Sequence, residues 1–161
     1  MARRIDYLND PNAPKANSIV PSVNIAVRDD TGRLLLICRS DNGNWALPGG
    51  AVDVGERLTE AGVRETLEET GIRCAITGLV GIYTDPGHVI HYTSNNEVRQ
   101  EFSIVLAARA VAGAPTPSSE STHVRWVAPD QIDHYRIHPS MRLRITHALE
   151  HGRLPVTFRE I

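Results

Sequence analysis

Residues 50–72 read GAVDVGERLTEAGVRETLEETGI, and their spacing organises the rest of the chain. Residues 57–70 contain no proline and place Leu58, Gly62 and Thr66 on one stripe with Val63 and Leu67 beside it, the i, i+4 repeat of an amphipathic helix. Gly71 follows as a stop. Glu65, Glu68 and Glu69 stand at i, i+3 and i+4, so at about 3.6 residues per turn they fall within an arc of roughly 100°. Like charges at this spacing repel by about 0.2–0.5 kcal/mol per pair, and glutamates near a helix C-terminus are also opposed by the macrodipole. Such a face is relieved either by cations of the chain, Arg64 reaching Glu60 and Glu68 at i±4, or by a divalent metal. A cluster made only of carboxylates selects hard ions, Mg²⁺ or Mn²⁺, over zinc.

Upstream of this segment, Val23, Ile25 and Val27 alternate with smaller or polar residues. Asp29-Asp30-Thr31-Gly32 supplies a turn, and residues 34–39 resume as an apolar run, so a hairpin is expected. Trp45-Ala46-Leu47-Pro48-Gly49-Gly50 is a short extended lead into the helix. Downstream, residues 72–84, 101–110 and 123–127 read as strands. Residues 85–96 and 113–121, rich in Gly, Asn, Ser and Pro, read as loops, the first of them mobile. Residues 139–151 carry a helical pattern with Pro139 in the first turn. Strands around a central helix, with a second helix at the end, predict an α/β layer structure with a mixed sheet. Residues 1–17, with two prolines and no apolar period, are expected to form a flexible arm ahead of one domain over residues 18–161.

Composition narrows the function classes. The 161 residues are 41% hydrophobic and 22% charged, ordinary globular usage. Seventeen basic against 19 acidic residues leave a net charge of −2, which gives no global attraction to a nucleic-acid polymer or an anionic membrane. The longest apolar runs are about five residues, against the roughly 20 that a membrane-spanning helix needs. Asp6, Asn9 and Asp10 stand where a signal peptide requires an apolar stretch. Cys38 and Cys74 lie apart in apolar runs and read as buried free thiols, in keeping with a reducing, cytoplasmic setting.

The full pattern is Gly50, Glu56 after five residues, Arg64-Glu65 after seven more, then Glu68-Glu69, Gly71 and Ile72. It resembles the signature of the Nudix hydrolases. Chance would give those identities at a fixed start with odds on the order of one in 10⁸. The preceding Trp45–Gly50 stretch and Val124-Arg125-Trp126-Val127 resemble flanking elements of the same family, over roughly residues 18–151. One position departs: Thr66 stands where an aliphatic residue is usual, for which a small stability effect is expected.

The resemblance implies an α/β/α sandwich with a central mixed sheet, and a Mg²⁺-dependent pyrophosphohydrolase that hydrolyses a diphosphate linkage in a nucleoside diphosphate joined to another group. ADP-ribose, a related nucleotide sugar and a nucleoside triphosphate are the candidate substrates. It implies that Glu65, Glu68, Glu69 and the Gly50 carbonyl ligate the metal, while Arg64 holds Glu56 and so fixes the loop. Glu68 or Glu69 would serve as general base, unless a separate acid does; Glu120, His123, Glu97, Glu101 and His88 are the other candidates. A homodimer is implied by relatives of this kind.

For substrate contacts the sequence offers Arg39, Tyr83, Pro86, His88 and Arg99. Pro86, fourteen residues past Ile72, resembles a marker of family members acting on ADP-ribose, though Pro-Gly also ends strands. Tyr83 fits stacking on a base or packing in the core; Arg39 fits a phosphate contact or a surface ion pair. The competing reading is a Nudix-shaped domain that senses a nucleotide or nucleotide sugar without turnover; all the box glutamates are present, which favours the enzyme. An isomerase on the same scaffold would need other acids and bases.

Overall fold

The computed structural model describes residues 3–151; residues 152–161, assigned to the domain on sequence, lie outside the described residues. The strands are β1 (Arg4–Leu8), β2 (Ser18–Ile19), β3 (Ser22–Arg28), β4 (Leu34–Arg39), β5 (Trp45–Ala46), β6 (Gly49–Ala51), β7 (Arg73–Tyr92), β8 (Glu97–Ala112) and β9 (Ser121–Val127). The helices are α1 (Leu58–Thr70) and α2 (Pro139–Glu150), with a 3₁₀ turn at Pro129–His134. The main sheet runs β1-β7-β8-β3-β4-β5, with β2 on β8, β6 on β3 and β9 on β4. β3 lies parallel to β8 and pairs antiparallel with β4 and β6, so the sheet is mixed, as expected.

The alternation of β3 and β4 places a core on each face. Val23, Ile25, Val27 and Leu35 pack with Ala61 of α1; Ala26, Leu34 and Leu36 pack with Met141, Ile145 and Ala148 of α2. Each fully buried Leu or Ile contributes about 1.5–3 kcal/mol relative to exposure. The helices therefore cover opposite faces, the α/β/α arrangement expected. Arg57 N donates to Glu60 Oε2 at the start of α1. At its end Gly71 adopts φ 72°, a left-handed conformation open to glycine, and returns its N–H to the Leu67 carbonyl. Thr66 is fully buried and its hydroxyl donates to the Gly62 carbonyl, so the departure from an aliphatic residue leaves no orphan polar group. Cys38 and Cys74 are free thiols, Cys74 buried and Cys38 half-buried.

Two expectations are corrected. Within the supposed arm, Arg4–Leu8 form β1, paired antiparallel with β7 from Arg4↔Tyr92 to Leu8↔His88. The segment shows no clean alternation because its inward side chain is Asp6, satisfied by an ion pair instead of by burial among apolar groups. The supposed mobile loop at 85–96 is largely strand: β7 continues to Tyr92, and only residues 93–96 turn back into β8. Pro86, Gly87 and His88 occupy a bulge between the pairs Asp85↔Glu101 and Val89↔Gln100, where the missing N–H of proline costs no ladder bond.

Candidate active site

The turn from β6 into α1 brings the box residues together. Arg64 Nε and Nη2 donate to the two oxygens of Glu56 at 2.7 and 3.0 Å, a bidentate fork. Arg64 Nη2 also reaches the Ala51 carbonyl at 3.3 Å, and Glu56 accepts from Asp53 N at 3.1 Å, so the loop is tied at both ends. The Arg64 hydrogen bonds hold the Glu56 carboxyl below the usual range. Arg64 Nη1 reaches Glu65 at 2.9 Å and Glu68 at 3.2 Å. The Glu65 carboxylate lies directly on Gly50: a Cβ there would stand 2.5 Å from Glu65 Oε1, so only glycine admits the approach.

Glu69 is 3% exposed and accepts a hydrogen bond from Gly49 N at 3.1 Å. Burial pushes its carboxyl up to about 8, with Glu65 and Glu120 adding repulsion that the Gly49 N–H and Arg39 offset only partly. Glu65 is raised likewise, first by burial. Arg64 alone bridges Glu56, Glu65 and Glu68, and Glu69 and Glu120 add two more acids, so carboxylates outnumber the cations that reach them at this end. Carboxylates gathered beside a glycine that leaves room for them could hold a hard divalent cation.

These residues form one end of a cleft of about 380 Å³, lined there by Gly49, Gly50, Glu65 and Glu120. Arg39 and Arg99 also line it, each forked onto a neighbouring carboxylate: Arg39 on Asp41 at 2.9 and 2.6 Å, Arg99 on Glu97 at 2.7 and 2.9 Å. Trp45 stands on the cleft wall as well. Tyr83, Pro86 and His88, expected as substrate contacts, do not line the cleft. Tyr83 is fully buried with its hydroxyl 2.8 Å from His147 Nδ1, Pro86 is exposed on the bulge, and His88 is 1% exposed. Among the alternative bases, Glu97 is held by Arg99, Glu101 is buried in an ion pair and His123 is exposed on β9, which leaves Glu120 facing Glu65 and Glu69.

The far end of the cleft was not legible in the sequence. Arg4, Asp6, His138 and Arg144 line it. Arg4 forks onto both oxygens of Asp6 at 2.9 and 3.0 Å. His88 Nε2 stands 3.1 Å from Asp6 and its Nδ1 3.4 Å from Glu101, which also pairs with Arg144. Burial works against the charge on each, but the mutual contacts prevail: His88 and Arg4 hold Asp6 well below the carboxylate range, His88 and Arg144 hold Glu101 below it, and the two acids raise His88. Asp6, His88 and His138 have potential ligand atoms within 4.8 Å of one another. With Arg4 on both Asp6 oxygens and Arg144 on Glu101, each acid is already met by a cation, and the cluster is better described as an ion-pair network than as a metal centre.

Residues 19–148 match the NUDIX domain family. A MutT-like protein of Streptomyces ambofaciens is 35% identical over 147 residues, spanning 89% of this chain and 86% of that one. A putative 8-oxo-dGTP diphosphatase of Bacillus subtilis is 33% identical over 108 residues, 67% of this chain and 66% of its own length. A NUDIX hydrolase structure from Nitrosomonas europaea superposes with a TM-score of 0.70 at 21% identity, covering 89% of this chain and 78% of that one. No helix among the described residues is long and apolar enough to cross a membrane. With the box geometry in place and the family match covering most of the described fold, the chain belongs to the Nudix hydrolases.

Proposed function

We propose that this protein hydrolyses a diphosphate linkage in a nucleoside diphosphate joined to another moiety, ADP-ribose or a related nucleotide sugar, or in a nucleoside triphosphate, with Mg²⁺ as cofactor and Mn²⁺ able to replace it. The observation that carries this reading is the gathering of half-buried Glu65 and buried Glu69 beside the Gly49–Gly50 turn, with Arg64 on Glu65 and only the Gly49 N–H on Glu69. The Gly50 carbonyl, Glu65, Glu68 and Glu69 would hold the ion. When bound, a divalent ion neutralises phosphate oxygens and makes a coordinated water acidic. Arg64, through Glu56 and Ala51, keeps the loop against the helix so that Gly50 stays in place. Glu68, whose side chain is 58% exposed, or Glu120, on the cleft wall, would take the proton of the attacking water. Arg39 and Arg99 offer donor edges to phosphate or ribose.

The test is a panel of ADP-ribose, other nucleotide sugars, dinucleoside polyphosphates, and ordinary and 8-oxo deoxynucleoside triphosphates, incubated with Mg²⁺ while phosphate and pyrophosphate release are measured. Metal-dependent turnover of at least one member is the expected result. Tight binding of a member without turnover would favour the sensing domain instead.

A further inference from the structure

Asn24 lies on β3 opposite Gly49 of β6 and lines the cleft beside the Gly49–Gly50 turn. Its carboxamide presents one acceptor and one NH₂ donor. A guanidinium can only donate, so the 2.9 Å contact with Arg144 Nη1 fixes Oδ1 toward Arg144 and turns the NH₂ the other way. That NH₂ sits against the box turn: a Cβ on Gly49 would stand 2.9 Å from Asn24 Nδ2. Among the described residues Nδ2 meets no acceptor. Among the described residues the buried side-chain atoms without a partner are Arg144 Nε and His88 Nδ1, so Nδ2, which is not sealed from solvent, opens onto the cleft.

The orientation is enforced from behind. Arg144 is 4% exposed, its other branch is bound by Glu101, and its guanidinium lies 5.5 Å from the Tyr83 ring. Glu101 is backed by His88, His88 by Asp6, and Asp6 by Arg4. Buried ion pairs are a weak source of stability, since apolar residues of similar volume often do as well. A chain of them running from β1 to Asn24 does supply a donor that cannot flip.

We propose that Asn24 donates a hydrogen bond to a phosphoryl oxygen of the diphosphate held at the Gly50 turn, with Arg144 as the positioning residue that aims it. The assignment rests on the hydrolase reading above. Asn24→Asp separates it from a purely structural role, because the carboxylate still accepts from Arg144 but can no longer donate and turns a negative charge toward the phosphate. The expected result is a melting temperature at or above that of the native protein. The kcat/KM for the fastest substrate of the panel should fall about 10- to 100-fold, and calorimetric binding of methylene diphosphonate with Mg²⁺ should weaken by a similar factor. Arg144→Lys, which keeps a charge near Glu101 but not the second branch, should lower kcat/KM in the native background and add little to Asn24→Asp. Native kcat/KM and native diphosphonate binding in Asn24→Asp would overturn the role of Asn24, and fully additive losses would overturn that of Arg144. A native protein that hydrolyses no panel member and does not bind the diphosphonate would overturn the hydrolase reading itself, a result visible before any variant is made.

Discussion

The two ends of the cleft handle buried charge in opposite ways. At the box end Glu65 and Glu69 are withdrawn from water without enough cation to match them, and their carboxyls are pushed up. At the far end Asp6 and Glu101 are equally withdrawn, yet Arg4, His88 and Arg144 meet them and their carboxyls are pulled down. Burial is common to both; the partner differs. At the first end the acids outnumber the cations that reach them, whereas at the second each acid is met by an arginine, and that end can act as scaffold. Removing a carboxylate should therefore harm the fold at one end and only the chemistry at the other.

The largest effect is expected at the far end. Glu101→Gln leaves the buried Arg144 charge without its acid and His88 with Asp6 alone, which should cost about 3–5 kcal/mol of unfolding free energy in urea titrations. A loss under 1 kcal/mol would mean that the two ends do not differ as described. At the box end Glu69→Gln should lower Mg²⁺-dependent turnover by about 10²-fold or more, while the melting temperature in EDTA at pH 8 stays equal to or above that of the native protein. A cooperative loss of fold in that variant would place Glu69 among the structural residues.

The smaller effect is a pH slope. Glu69 sits near 4.5 in ordinary surroundings and is pushed up to about 8 in the fold, so the folded state binds the extra proton. Its contribution to stability is full below about 4.5 and is lost as pH climbs through about 8. In EDTA the melting temperature should fall between pH 5.5 and 8.5, and Mg²⁺ should flatten the curve. His88, also raised, adds slope of the same sign, so the difference between the native protein and Glu69→Gln isolates Glu69. Identical curves for the two would remove the assigned shift.

The same contrast explains what could be read from the chain. The box end is built from residues 50–69, close together along the sequence, so a 3.6-residue repeat suffices to gather the acids on one face, and the Arg64–Glu56 pair follows from an eight-residue separation. The far end joins residues separated by 82 positions for Asp6 and His88 and 43 for Glu101 and Arg144. No local period links them. Asp6 even disguised its strand, because a charged residue facing inward breaks the alternation that marks a half-buried β-strand. Pro86-Gly87 concealed the middle of β7 in the same way, since turn residues and bulge residues look alike until the partner strand is known. Tyr83 and His88 were drawn toward the substrate by their chemistry, but the register of β7 points one into the core and the other into the ion network.

β1 lies wholly before residue 19, where the family match begins. A fragment cut at that boundary would keep every glutamate of the box and still lose Arg4 and Asp6 together, stripping the imidazole of His88 of one of its two acids. Such a trimmed protein is a poor surrogate for the whole chain, and kinetics measured on it would describe a cleft missing its back wall.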